Sequence, residues 1–223
     1  NKRLLEEVRM MAGARWHGYD TVPRKEWSVL NNARNNFQIE FLQGLNPYAH
    51  FDSAYQFPDF DRSLYEHQKD MTAFVLCRRH CILAAEMGTG KSLAAIEIME
   101  RSSFTDWWWV SSKSGLKSVE LELDKWESRV IPTLLTYDSL RRKIENWTGA
   151  DAPKGLIFDE SSKIKNPNAK RSQAALHIAE SIRTEYGYEG IIVAMSGSPA
   201  PKSPVDWWHQ CEVARPGYLM EGN

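Results

Sequence analysis

Two regimes of hydrophobic patterning divide the chain near residue 60. Downstream, short apolar runs alternate with amphipathic stretches. Cys81 to Ala84, Trp107 to Ser111, Thr133 to Thr136, Gly155 to Phe158 and Ile191 to Met195 read as strands. Ser63 to Arg79, Ser92 to Arg101, Leu116 to Trp126 and about Ala169 to Glu185 show helical spacing. Ser203-Pro204 predicts the start of a last helix, with Ser203 as its cap and Pro204 in its first position. Apolar strands alternating with amphipathic helices specify an α/β fold, a parallel sheet with helices on both faces.

Upstream, the pattern differs. Lys2 to Met11 places Leu4, Leu5, Val8 and Met11 on one side of a short helix. Ala14 to His17 and Glu26 to Val29 predict a small β-hairpin with an aromatic on each strand. Arg34 to Leu42 predicts a second helix, and residues 46–59 an aromatic-rich linker. The expected organisation is a small α+β accessory segment over residues 1–60 and one larger domain over residues 61–223. A length of 223 residues suits one domain with an appendage.

Composition narrows the function classes. At 42% apolar and 26% charged residues the chain is an ordinary globular protein. No apolar run approaches the roughly 20 residues that span a bilayer, so no membrane partner is expected. The net charge of −1 gives no global basic field, so any nucleic acid must be held by local patches. Three cysteines, Cys77, Cys81 and Cys211, are too few for a disulfide framework and fit a reducing compartment. Cys77, His80 and Cys81 have no second ligand cluster, so buried thiols are expected rather than a structural metal. Nine tryptophans are expected to fill a core or a lobe interface rather than stack on bases. The chain begins at Asn1 rather than Met and stops soon after Pro216-Gly217-Tyr218, which suggests that both ends are cut from a longer polypeptide.

The sharpest chemical signal is Ala85-Glu86-Met87-Gly88-Thr89-Gly90-Lys91-Ser92, placed between a strand and a helix. Gly88 and Gly90 let the backbone turn its N–H groups toward phosphates, with Thr89 between them. The helix N-terminus adds partial positive charge. Lys91 can reach the β- and γ-phosphates of ATP, and the Ser92 hydroxyl can hold Mg²⁺. The usual first glycine of such loops is Ala85 here.

A second signal is the strand Gly155 to Phe158 ending in Asp159-Glu160. ATP hydrolysis needs one carboxylate to hold the magnesium shell and one to orient or deprotonate water. Asp159 suits the first role and Glu160 the second. Alone such a pair is more often a solvated strand end. After a phosphate loop in the same alternating domain it becomes a catalytic candidate, at the sheet end where ligands of these folds bind.

Together with their neighbours these motifs resemble a superfamily-two helicase of the Swi/Snf branch, over about Ser63 to Tyr218. Leu64-Tyr65-Glu66-His67-Gln68 resembles the adenine-reading block, with its glutamine at Gln68. Residues 86–92 resemble motif I, and Val110-Ser111-Ser112-Lys113-Ser114 resembles motif Ia. Thr136-Tyr137-Asp138-Ser139-Leu140 resembles the "T-Y-E-S-L" block. Asp159-Glu160-Ser161-Ser162-Lys163-Ile164-Lys165-Asn166 resembles the DEAD/DEAH-like "D-E-A-H-R-I-K-N". Ser196-Gly197-Ser198-Pro199 resembles the coupling motif "T-G-T-P". The resemblance implies a RecA-like P-loop lobe, the first of two, that binds Mg-ATP and moves on DNA, duplex favoured. It implies a cytoplasmic location, in a bacterial or phage-infected cell, or a nuclear one in a eukaryote. Ser162 stands where the family has the histidine that helps link the nucleotide to the coupling motif, so that link must use a hydroxyl or another partner. Motifs IV to VI, which the family carries on a second RecA-like lobe with its arginine finger, are missing. The chain alone is therefore expected to bind ATP and hydrolyse it poorly. More faintly, Arg15-Trp16 and Lys25 to Val29 resemble the HARP domain of annealing-type helicases, whose role would be DNA-structure recognition; two tryptophans on a hairpin are more often the core of a small domain.

A motor of this kind tracks the sugar–phosphate backbone. Lys113, Ser114, Lys163 and Lys165 are the DNA-contact candidates, with the run Arg141-Arg142-Lys143 behind them; such runs are usually solvated faces. Two rival readings stay open. One is a P-loop ATPase indifferent to DNA, against which the order of the blocks argues. The other is a non-catalytic module that binds DNA or a partner, against which intact Lys91, Ser92, Asp159 and Glu160 argue.

Overall fold

A computed structural model of the chain describes residues 15–16, 27–28, 62–145, 147, 151–200 and 205–219. Its contacts divide it into two units, Asn1–Pro58 with Met220–Asn223, and Asp59–Leu219. In the first unit β1 (Arg15–Trp16) and β2 (Trp27–Ser28) pair antiparallel, with Trp16 opposite Trp27. This is the expected hairpin, with an aromatic on each strand. The helices expected at 2–11 and 34–42 and the linker at 46–59 lie outside the described residues.

In the second unit β3 (His80–Ala84), β4 (Trp107–Ser111), β5 (Thr133–Thr136), β6 (Gly155–Asp159) and β7 (Ile191–Ser196) form one sheet. The order is β3-β7-β6-β4-β5 and every neighbouring pair is parallel. The helices are α1 (Glu66–Arg78), α2 (Lys91–Arg101), α3 (Lys113–Lys125), α4 (Tyr137–Glu145), α5 (Lys170–Tyr186) and α6 (Asp206–Ala214). Short 3-10 turns occupy Ser161–Ile164 and Gly187–Glu189.

Period-two alternation sends the strand side chains into two separate cores. Cys81, Leu83, Trp107, Trp109, Ile157, Ile191, Val193 and Met195 pack with apolar residues of α1, α2 and α3. Trp108, Val110, Leu156, Phe158 and Ile192 pack on the other face with α4, α5 and Val213 of α6. The expected α/β class, parallel sheet and two helical layers are all present. Trp107, Trp108 and Trp109 are 1%, 6% and 0% exposed, so they are core residues and closed to base stacking.

Local chemistry sets the element boundaries. The Ser112 hydroxyl accepts from the Gly115 N–H at 3.1 Å and starts α3 at Lys113, three residues before the expected Leu116. The Thr136 hydroxyl accepts from the Ser139 N–H at 3.0 Å and starts α4, a helix the hydrophobic pattern did not predict. Its nine residues are rich in charge, and only Tyr137, Leu140 and Ile144 face the core. The last helix begins at Asp206, and Ser203 and Pro204, expected to open it, lie outside the described residues.

Gly155 lies opposite Trp107 in the sheet, and a Cβ there would sit 2.2 Å from the indole ring. The ring is buried, stacks on Phe104 and donates its N–H to the Ser102 hydroxyl at 3.2 Å, contacts that a shift would disturb. Gly155→Ala is expected to lower stability by about 1–3 kcal/mol through overpacking. Urea unfolding followed by tryptophan fluorescence reads this; an unchanged midpoint would mean that the ring has room.

Candidate functional site

The phosphate-loop candidate leaves the sheet after Ala84 of β3 and ends where α2 begins at Lys91. Gly88 and Gly90 have φ of 82° and 77°, left-handed values that glycine adopts without steric cost. At Gly90 there is a second constraint, because a Cβ would meet Gln68 Nε2 at 2.1 Å. The Thr89 hydroxyl donates to the Glu86 carbonyl at 2.8 Å and closes the loop. The first turn of α2 holds no acidic residue, so its positive end is left uncompensated. Lys91 Nζ donates to the carbonyls of Ala85 and Glu86, both at 2.7 Å. Burial pushes its pKa below the ordinary lysine value, opposed by attraction to Asp159. Ser92 follows as the second residue of the helix, half-buried.

Asp159 closes β6, the second strand over from β3. Ser111, at the end of the neighbouring β4, donates its hydroxyl to Asp159 Oδ2 at 2.9 Å, and the Glu160 N–H donates to Oδ1 at 3.0 Å. Burial nevertheless raises the Asp159 pKa above the ordinary carboxylate value; the two hydrogen bonds pull the other way. The Tyr137 hydroxyl donates to the Asp159 carbonyl at 2.7 Å. Burial, then the nearby carboxylates, pushes that phenol well up, so it stays a donor. Glu160 is exposed and its backbone is left-handed, φ 54° and ψ 48°.

Between these two segments runs β7, which ends in the Ser196 to Pro199 loop. The Ser196 carbonyl accepts from the Ala85 N–H at 3.2 Å. A Cβ on Gly197 would lie 3.3 Å from Met87 Cγ, so this loop abuts the glycine turn that leaves β3. Ser198 N–H donates to the Ser196 hydroxyl at 3.1 Å. Pro199 carbonyl accepts from Gln210 Nε2 at 2.6 Å, and Gln210 Oε1 accepts from the Ser161 hydroxyl at 2.7 Å. The hydroxyl that reaches toward this loop therefore belongs to Ser161, one residue before Ser162, and it does so through Gln210.

The remaining candidates lie around this edge. Gln68 is buried; its Oε1 accepts from the Tyr65 N–H at 3.0 Å and its Nε2 donates to the Thr89 carbonyl at 3.4 Å. Lys113 and Ser114 are exposed in the first turn of α3, just past β4. Lys163 is exposed just past β6, whereas Lys165 pairs with Asp206 of α6 at 2.8 Å. In the basic run on α4, Arg141 pairs with Glu145 and Lys143 lies 4.9 Å over the Trp108 ring. The sequence placed Ser111 and Tyr137 in family-like blocks without giving either a role of its own, and it did not point to Gln210. The signal for Ser111 was its place as the last residue of an apolar strand. Gln210 carries no comparable signal, since only the tertiary fold brings it beside Ser161.

Among the described residues no group of three His, Cys, Asp or Glu residues is placed to hold a metal, and no helix is long and apolar enough to cross a membrane. Cys81 is buried on β3 and its thiol is pushed up to about 12 by burial, while Cys77 on α1 is half-buried.

No protein-family model matches the chain, and no curated protein matches it in sequence. Among solved structures it is similar to the Sulfolobus solfataricus SWI2/SNF2 ATPase core in complex with dsDNA, with a TM-score of 0.59 and 21% identity. The likeness covers 75% of this chain and 39% of that one, so the chain spans well under half of the neighbour's length. It shows the fold, a RecA-like α/β lobe.

The Asp159 shift has a consequence for stability. Its folded pKa lies above the ordinary 3.8, so the folded state holds the proton more tightly than the unfolded chain does. The contribution is present below that value and is lost as pH rises through the raised one. Asp159→Asn removes the ionisation and keeps both hydrogen bonds, with the Ser111 hydroxyl turned to accept. Wild type and variant are expected to melt alike near pH 4, with the variant gaining as pH rises toward 7. Thermal melts across that range decide it; a gap that closes with rising pH would refute the assignment.

Proposed function

We propose that this chain is the ATP-binding lobe of a DNA-dependent ATPase that translocates on duplex DNA when paired with a second RecA-like lobe. The observation that carries the reading is the meeting of Lys91 and Asp159 at one end of the sheet, each with its charge disfavoured by burial. A polyphosphate beside Lys91 and a divalent cation beside Asp159 would relieve both. Mg-ATP fits this pair better than any uncharged ligand.

Within that reading the glycine turns at Gly88 and Gly90 present backbone N–H groups to the phosphates, and Thr89 braces the turn. Lys91 leaves its two carbonyl partners for the phosphates. Ser92 and Asp159 hold the magnesium shell, and the ion supplies neutralisation of the phosphate charge. Glu160 orients the attacking water. Gln68 stands behind the loop and reads the adenine. Ser196 to Pro199, packed against Met87, carries the change at the phosphates toward DNA. Lys113, Ser114 and Lys163 follow two neighbouring strand ends and suit contacts to a sugar–phosphate backbone. Lys165 first has to release Asp206.

The 223-residue chain is expected to bind a fluorescent ATP analogue with Mg²⁺, with affinity at least about tenfold weaker in Lys91→Ala. In the two-lobed protein, duplex DNA should stimulate hydrolysis strongly, and both Lys91→Ala and Glu160→Gln should reduce the rate by about 100-fold or more. Assays with no nucleic acid, single-stranded DNA, duplex DNA and RNA separate the readings. Hydrolysis indifferent to all of them would replace the translocase with a DNA-independent P-loop ATPase.

A further inference from the structure

Glu160 is a non-glycine residue in the left-handed region, φ 54° and ψ 48°, where a Cβ crowds the following backbone. Arg79, Glu127 and Asp151 share a positive φ, but the first two sit where a helix ends, a common place for it, and Asp151 is an exposed aspartate in a bend, a residue type that tolerates it. Glu160 instead follows a strand and opens a 3-10 turn. Such a conformation persists only where the surroundings impose it.

We propose that Tyr137 and Gln210 are positioning residues that clamp the backbone of Glu160 from its two sides and fix the direction of its carboxylate. The catalytic half of this inference rests on the role given to Glu160 above. On the leading side, the Tyr137 hydroxyl holds the Asp159 carbonyl at 2.7 Å, and Asp159 Oδ1 holds the Glu160 N–H at 3.0 Å. On the trailing side, the Ser161 hydroxyl is held by Gln210 Oε1 at 2.7 Å, and Lys163 N–H holds the Glu160 carbonyl at 2.9 Å. Ser161 and Gln210 are both fully buried. The Gln210 amide cannot swing, because its Nε2 also donates to the carbonyls of Pro199 at 2.6 Å and Asp206 at 2.8 Å. Its carbonyl end must therefore face Ser161. The trailing jaw is thus fastened to the Ser196 to Pro199 loop, which lies against the phosphate loop through Gly197 and Met87. A shift of either loop changes the aim of Glu160 without any residue touching its side chain.

The test is a double-mutant cycle in thermal stability, which needs neither nucleotide nor activity. Glu160→Gly relieves the left-handed strain and is expected to raise the Tm of the chain by about 2–4 °C. Gln210→Met keeps the shape and removes the bonds, so Glu160 can relax. In that background the gain should fall to less than about a third. Tyr137→Phe tests the other jaw and stands in if Gln210→Met does not fold. The kinetic arm uses the two-lobed protein. There, both clamp variants should lower kcat about tenfold while the Kd for Mg-ATP stays within about twofold. An equal Tm gain in every background, no gain in the first, or an unchanged kcat overturns the clamp. If the unaltered protein hydrolyses nothing, the ATPase reading fails, and the thermal cycle still decides the clamp.

Discussion

A parallel sheet with both faces covered has no place for a charged side chain along its strands. Every inward position on β4, β6 and β7 has to be apolar, on one face and then the other. Polar chemistry is pushed to the strand ends, and parallel strands all end on the same edge. That is why Ser111, Asp159 and Ser196, from three different strands, gather with the loop that leaves β3. The site is a product of the core's demand for apolar faces as much as of the motifs themselves.

The same edge is only half open to water. Lys91 and Asp159 each lose hydration there, and their protein partners are short of what full charge requires. Lys165 and Asp206, by contrast, already satisfy each other at 2.8 Å near the surface. Within one loop cluster, then, one ion pair is closed and another pair of charges is left incompletely served. The second condition is the one that favours an incoming ligand with both signs of charge.

Much of this was legible before the fold was seen. The five strands came from apolar runs, and the glycine turn between β3 and α2 and the acidic end of β6 from local spacing that depends on few neighbours. What stayed hidden depends on tertiary contact. Helix α4 has a short, charged sequence, and its cap on Thr136 is a polar bond that a hydrophobic pattern does not register. The start of α3 was misplaced because Gly115 weakens the helical signal in a turn that the Ser112 cap secures. Ser162 drew attention as the departure from a family pattern, yet the buried hydroxyl that bridges to the neighbouring loop is Ser161. Only the position of α6, which brings Gln210 under both loops, decides between them.

Three tryptophans in a row carry almost no information about alignment. Slide β4 inward by one residue and a tryptophan still stands beside Gly155, beside Leu156 and in each core. Hydrophobicity alone hardly distinguishes the two arrangements. The difference lies at the end of the run. In the observed alignment Val110 is level with Phe158, so Ser111 reaches Asp159. One step inward, that hydroxyl would sit beside Phe158 in the core without its carboxylate, at about 1–3 kcal/mol. The bond that shapes the acidic end is therefore also the mark by which the sheet reads its own alignment, and a misaligned strand would spoil the fold and the site in the same stroke.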